Sequence, residues 1–294
     1  MKTRTPLYRV LLAVVTLLLA IFACTALLQA QEPGTAQSSG PLSVVADPAA
    51  ADPAFAERAN AIIVHARKLI DGFFEQTANV VCTENVAQTL IGKNNKPMYR
   101  EESTFEYQMQ SSIRSGSLRL AETRESVKAA FRDPNRTLLI TNGFAGMLLV
   151  LHENYESSYT FEPLGEEVVD QRTVLKLQFK PVPGASSPAA VQLGGRNYPL
   201  PLKGDIWIDE QSAAVVRLVS SLNGSLEDLG LKELHSEIHY AVVQFHSPEE
   251  AYWMPSSAVI DVETPKQHWR NVHRFTEYRR FRATIQVDLG EKQP

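Results

Sequence analysis

Met98-Tyr-Arg-Glu-Glu-Ser-Thr-Phe-Glu-Tyr-Gln-Met-Gln110 alternates with a period of two. Tyr99, Phe105, Tyr107 and Met109 share one parity, and Arg100, Glu102, Glu106 and Gln108 share the other. Successive side chains of a strand point to opposite faces, so this stretch has one buried and one wet side, as antiparallel sheets commonly do. Gly92-Lys-Asn-Asn-Lys-Pro97 before it is turn-forming, which makes Asn79–Ile91 and Met98–Gln110 a hairpin.

Further strands are expected at Leu118–Arg124, Tyr159–Leu164, Val174–Lys180, Asp205–Asp209, Ala214–Leu222, Glu233–Phe245, Met254–Val262 and Trp269–Val287. About ten strands joined mostly by short connections predict an antiparallel meander. The exception is Pro181–Lys203, a Pro/Gly-rich stretch whose length marks a flap or an insertion. No internal repeat is present.

Upstream of the first hairpin the period changes to that of a helix. Asp52-Pro53 offers an N-cap and a first-turn proline, and Phe55, Ala59, Ile62, Ile63, Ala66, Leu69, Ile70 and Phe73 make one apolar stripe. That stripe must be buried, and the concave side of a strongly curved sheet is the place for it. The expected fold is therefore α+β: a half-barrel of about ten strands, with one long N-terminal helix and a short helix at Phe144–Leu151 on its concave face. One domain over 51–290 is expected, after a linker at 31–50 rich in Pro, Gly and Ser.

Residues 1–30 have the layout of an export signal. Lys2, Arg4 and Arg9 precede an uncharged run from Val10 to Leu28, and Ala30 supplies the small residue of a cleavage site. The expected compartment is the periplasm. Retention of 10–28 as a membrane anchor and lipidation at Cys24 stay open as alternatives. Loss of the first thirty residues removes three basic and no acidic side chains and takes the formal charge from −4 to −7. Such a chain has no general attraction for nucleic acid. Only Cys82 then remains, in an apolar strand, so no intramolecular disulfide is expected and the thiol reads as buried and structural.

Gly204-Asp-Ile-Trp-Ile-Asp209 followed by Ala213-Ala-Val-Val-Arg-Leu218 resembles a hairpin of the bacterial lipoprotein-carrier superfamily, to which LolA, LppX-like lipoproteins and RseB belong. The order of signal, long helix, curved sheet and short helix is similar too. The resemblance implies an unclosed barrel whose apolar interior holds acyl chains, with a lipid or lipidated protein as ligand and an envelope or inner-membrane partner. Phe144, Met147, Leu148, Leu149 and Trp207 are then candidate acyl-chain contacts, although ordinary core packing is the first account of an apolar segment such as Phe144–Leu149. Arg270, Arg274, Arg280 and Arg282 share a parity and are candidates for an anionic headgroup, or for cross-strand pairs with an acidic neighbour such as Glu233 or Glu237. Glu277 and Arg279 fall on the apolar parity, so a bulge or a buried pair is expected near Tyr278.

Glu233, His235, Glu237 and His239 project from one face of an extended strand, a spacing that suits a metal but suits a solvated outer face better. No metal and no cofactor are expected. The sequence has no Gly-x-Ser-x-Gly elbow, no phosphate-cradling glycine loop and no His-Glu-x-x-His, so a non-enzymatic protein is expected, with an envelope sensor or interaction module without lipid cargo as the alternative and a hydrolase with an unrecognised site as the weaker one.

Overall fold

The computed structural model describes residues 53–76, 79–114, 117–128, 143–193, 196–245 and 251–280. A helix α1 (Pro53–Gln76) is followed by strands β1 (Val80–Ile91), β2 (Pro97–Arg114) and β3 (Ser117–Lys128). Two 3-10 segments, Gly146–Leu151 and Glu153–Ser158, lead into β4 (Tyr159–Val169), β5 (Arg172–Pro181), β6 (Ala190–Leu193) and β7 (Arg196–Pro199). The chain then continues through β8 (Leu202–Asp209), β9 (Val215–Leu222), β10 (Glu233–Gln244), β11 (Ala251–Glu263) and β12 (His268–Arg280).

Ten of these strands form one antiparallel sheet in the order β3-β2-β1-β12-β11-β10-β9-β8-β5-β4. Every strand pairs with its neighbour in sequence except where β1 meets β12, which brings the two ends of the domain together, and where β5 meets β8 across the β6–β7 hairpin. The edges, β3 and β4, do not pair with each other, so the barrel is open. The α+β half-barrel is the architecture found.

One face of the sheet is filled. Phe55, Ala59, Ile62, Ile63, Ala66, Ile70, Phe73 and Phe74 of α1 join Val80, Cys82, Tyr107, Leu177, Phe179, Ile206, Leu218, Ile238 and Ile260 of the strands in a single core. Leu69, expected on the helix stripe, is 39% exposed, and Phe74 takes a buried place beside Phe73. Burying a side chain of this size contributes about 1.5–3 kcal/mol, so the helix stripe is worth on the order of 10 kcal/mol. The Arg58–Glu166 and Arg67–Glu156 ion pairs that tie α1 to β4 and to the second 3-10 segment add at most about 1 kcal/mol each.

Several boundaries differ from the expectation. The short helix is 3-10 rather than α. Half of the Pro181–Lys203 loop folds as the β6–β7 hairpin, held where the Leu200 N–H donates to Ala189 O and the Ser187 hydroxyl donates to Leu200 O. Its Ala189 and Val191 pack on the main core. The bulge expected near Tyr278 is present: pairing of β1 with β12 shifts register between Val81 and Thr83, and Glu277 sits at φ 56°. A second shift, between His239 and Tyr240, places its extra residue, Ser256, on β11, and Val242, on the parity of Ile238 and Tyr240, is 47% exposed.

Candidate functional site

The Gly143–Leu151 segment occupies the middle of the concave face. All six residues from Gly146 to Leu151 are buried, as is Phe144. A 3-10 turn leaves its first N–H groups without partners, and here a side chain supplies the acceptor. Glu122 of β3 accepts from the N–H of Gly143 (2.9 Å) and Phe144 (3.0 Å) through one carboxylate oxygen, and from Gly146 (2.7 Å) through the other. On the far side the Tyr240 hydroxyl donates to Phe144 O at 2.9 Å. The Phe144 ring lies 4.7 Å from His273, 5.2 Å from Phe275 and 6.3 Å from Tyr107, with the Arg124 guanidinium 5.6 Å away. The segment is thus bonded to the sheet through side chains and packs into an aromatic socket.

Behind the socket is a buried polar network. Glu84 of β1, fully buried, accepts both guanidinium bonds of Arg124 and a 2.8 Å bond from His273 Nδ1. His273 is equally buried, and its Nε2 has no hydrogen-bond partner among the described residues. Burial opposes the Glu84 charge, but the Arg124 and His273 bonds outweigh it and hold the carboxyl below the ordinary range. Burial keeps His273 neutral against the pull of Glu84. Glu122 goes the other way: burial pushes its carboxyl up to about 7 despite three N–H bonds and nearby Arg124. Cys82, beside this network, is buried and its thiol is pushed up to about 12 by burial, which keeps it protonated and unreactive.

The structure divides the expected acyl-chain contacts between two faces. Phe144, Met147, Leu148 and Leu149 lie together in the concave core. Trp207 points to the opposite face, where it packs with Val174 and Val216, lies 4.4 Å under the Arg217 guanidinium and donates from Nε1 to Glu167. Its neighbours Ile206 and Ile208 are the inward residues of that strand.

The arginine stripe is divided as well. Arg270 pairs with Asp261 at 3.5 Å, because β11 stands between β12 and the acidic residues of β10. Arg274 is exposed, has no partner among the described residues and lines an open groove of about 640 Å³ of mixed polar and apolar character with Asn85, Ala87, Arg100, Glu102 and Val272. Past the Glu277 bulge Arg280 changes company, its guanidinium lying over the Phe245 and Tyr252 rings. Arg282 lies outside the described residues, as do the signal at 1–30, the linker at 31–50 and Cys24.

On β10, Glu237 is engaged by Arg217 (2.8 Å) and His239 (2.8 Å), and His235 by Ser221 (2.9 Å). No group of metal-binding side chains is present among the described residues. No helix among them is long and apolar enough to cross a membrane.

No protein-family model matches the chain, and no curated protein matches its sequence. Solved structures resemble its fold. A DUF1329 family protein from Desulfovibrio piger is 11% identical, with a TM-score of 0.43 over 77% of this chain and 95% of that one. A domain from Vibrio parahaemolyticus assigned to outer membrane lipoprotein sorting is 12% identical, with a TM-score of 0.40 over 78% and 96%. A LolA superfamily protein from Nitrosomonas europaea is 11% identical, with a TM-score of 0.38 over 77% and 94%. Likeness of this extent says nothing of activity or cargo.

The Glu84–Arg124–His273 network and the Glu122 anchor were not singled out from the sequence. The signal for the first was present: Glu84 shares a parity with Val80, Cys82 and Val86, and His273 with Trp269 and Phe275. A charged or titratable residue on an apolar parity marks a buried partner elsewhere. Glu122 carries the same signal, since it shares a parity with Leu118 and Leu120, which pack against the core.

Proposed function

We propose that this chain is an exported cell-envelope protein without catalytic activity that binds an acyl chain, free or on a lipidated protein, inside the half-barrel. The observation that carries the reading is the 143–151 segment. It is an apolar plug in the middle of the concave face, bonded to the walls through Glu122 and Tyr240 and not incorporated in the sheet.

Cargo takes the place of this plug. The buried Phe144, Met147, Leu148, Leu149, Val150 and Leu151 contribute on the order of 10 kcal/mol of apolar burial. A chain of about 12–16 methylenes, at about 0.8 kcal/mol per CH₂, brings a comparable amount. The exchange is therefore close to balanced, and a modest headgroup contribution decides it. Helix α1 stays in place as the floor of the cavity. Export fits this chemistry, since an apolar cargo needs shelter where it crosses water. The exposed Arg274 beside the outer groove is a contact for an anionic headgroup or an envelope partner.

The test is native mass spectrometry of protein purified from its own envelope, together with titration by a fluorescent fatty acid. Co-purifying lipid and saturable binding are expected. A ligand-free species that also ignores the fluorescent probe would favour the second reading. In that reading, supported by the filled interior, the fold is a sensor or interaction module that works through its outer surface.

A further inference from the structure

We propose that the free edge of β3 is a docking strand for an extended segment of a partner polypeptide, with a basic side chain of that segment seated beside Glu125. The inference is independent of the acyl-chain reading, since it uses the backbone of the sheet's edge and side chains of its outer face.

The two edges of the sheet are built differently. Strand β4 is guarded: Pro163 lies within it, its pairing with β5 shifts register between Pro163 and Gly165, and Glu166 is tied to Arg58 of α1. Proline, bulges and covering side chains are devices by which sheets keep their edges from pairing with other chains. Strand β3, 12 residues long, contains neither proline nor glycine and keeps one register with β2 from Ser117, opposite Arg114, to Ser126, opposite Phe105. Its inward charges do not guard the edge, because Arg124 is bonded to Glu84 and Glu122 to the N–H groups at 143–146. Outside the pairing with β2, no backbone group of Thr123–Val127 is bonded among the described residues. Ala121, Thr123, Glu125, Ser126 and Val127 are exposed, Val127 to 67%. A regular, uncovered edge is a template for strand addition, in which main-chain bonds supply affinity and side chains supply choice.

Charge selects the occupant. Glu125 stands directly opposite Glu106 of β2 on the outer face, a position in which like charges repel. Glu106 is offset by the Arg279 guanidinium at 3.2 Å, whereas Glu125 has no ion-pair partner among the described residues. A strand added to β3 places one of its own residues opposite Glu125, and a lysine or arginine there supplies the missing countercharge. The residues two before and two after it on the added strand fall beside Thr123 and Val127, where an apolar or β-branched side chain packs on the outer face. The occupant is therefore an extended segment with a basic residue between apolar ones on one face.

The probe is a dye-labelled heptapeptide with blocked ends, Thr-Val-Thr-Lys-Thr-Val-Thr, titrated by fluorescence anisotropy against the full chain. Saturable binding is expected, and its absence overturns the proposal. Alternate N–H groups of a strand point to the same edge, so methylating the backbone nitrogens of the lysine and both valines must act differently from methylating those of the two inner threonines. One set should abolish binding and the other leave it within about twofold; loss in both, or in neither, refutes strand addition. Replacing the probe's lysine by glutamate should weaken binding about three- to tenfold, and Glu125→Lys should reverse that preference. Thermal unfolding confirms that this exposed substitution leaves the fold intact, and an unchanged preference in the folded variant removes Glu125 and the edge beside it from the site. Sedimentation covers the other occupant: the chain should bind the probe with no change of oligomeric state, and a dimer that the probe dissociates would give the edge to a second copy instead.

Discussion

The ionisation of Glu122 gives the 143–151 anchor a pH dependence whose sign follows from the structure. Burial raises its carboxyl to about 7 in the folded protein from an ordinary value of 4.5. The folded state therefore binds this proton more tightly than the unfolded one does. The stabilisation tied to the protonated group is complete below about pH 4.5 and is lost as pH rises through about 7. At 1.36 kcal/mol per pH unit the full span is on the order of 3 kcal/mol, an upper figure because Glu122 keeps some exposure at the edge strand. Charged and titratable neighbours on the packed strands act in the other direction. Glu84 is held low, so its contribution is present above its ordinary pKa and falls away in acid. His273 is also lowered, and its contribution is lost as pH drops below about 6.5. The assay is urea unfolding of wild type and Glu122→Gln at half-unit steps from pH 4.5 to 8.5. Glutamine keeps one acceptor oxygen and cannot ionise, so subtracting the two profiles cancels Glu84 and His273. The difference should move against the wild type by about 1–3 kcal/mol across this window and level off above pH 7.5. Parallel profiles would refute the account of Glu122.

Other expectations concern separate parts of the molecule. Glu84→Gln leaves Arg124 with an uncompensated buried charge and should cost about 3–5 kcal/mol of unfolding free energy by urea titration; a loss below 1 kcal/mol would mean that water reaches the pair. Gly204→Ala places a Cβ 1.9 Å from Val219 O on the paired strand, a clash with backbone. The β8–β9 pairing must shift, and the variant should unfold at least 5 °C below wild type in a thermal melt, corresponding to about 1–2 kcal/mol or more in a domain of this size. At the β12 bulge, Glu277 holds φ 56° and accepts a bond from the Thr83 hydroxyl. Glu277→Gly relieves the left-handed strain, about 1 kcal/mol, and loses that exposed bond, so chemical denaturation should show a net change between zero and +1 kcal/mol; a clear destabilisation would show the bond to dominate.

The sequence made the periodic parts of this fold legible and hid the parts set by single irregularities. The stripe from Phe55 to Phe73 locates α1, and the alternation in 98–110 locates β2, because burial on one face imposes a period. Bulges break that arithmetic without leaving a mark in composition. The shift opposite Val81 moves Arg280 from the company of Arg270 and Arg274 to that of Phe245 and Tyr252. Trp207 was misplaced for a different reason: strand β8 is covered on both faces, so its apolar run carries no information about which side is inward. The Glu84–Arg124–His273 network joins three strands far apart in sequence, and only the adjacency of β1 and β12 makes it possible.

The central claim is that an acyl ligand enters by displacing the 143–151 plug, and amide hydrogen exchange measures this most directly. In the free protein the amides of Gly146–Leu151 should exchange slowly, as expected of six buried residues. With a saturating fatty acid they should lose protection by at least tenfold, while the amides of α1 and β1 stay protected. A ligand that binds with protection over 146–151 unchanged or increased would contradict the displacement and place the cargo elsewhere.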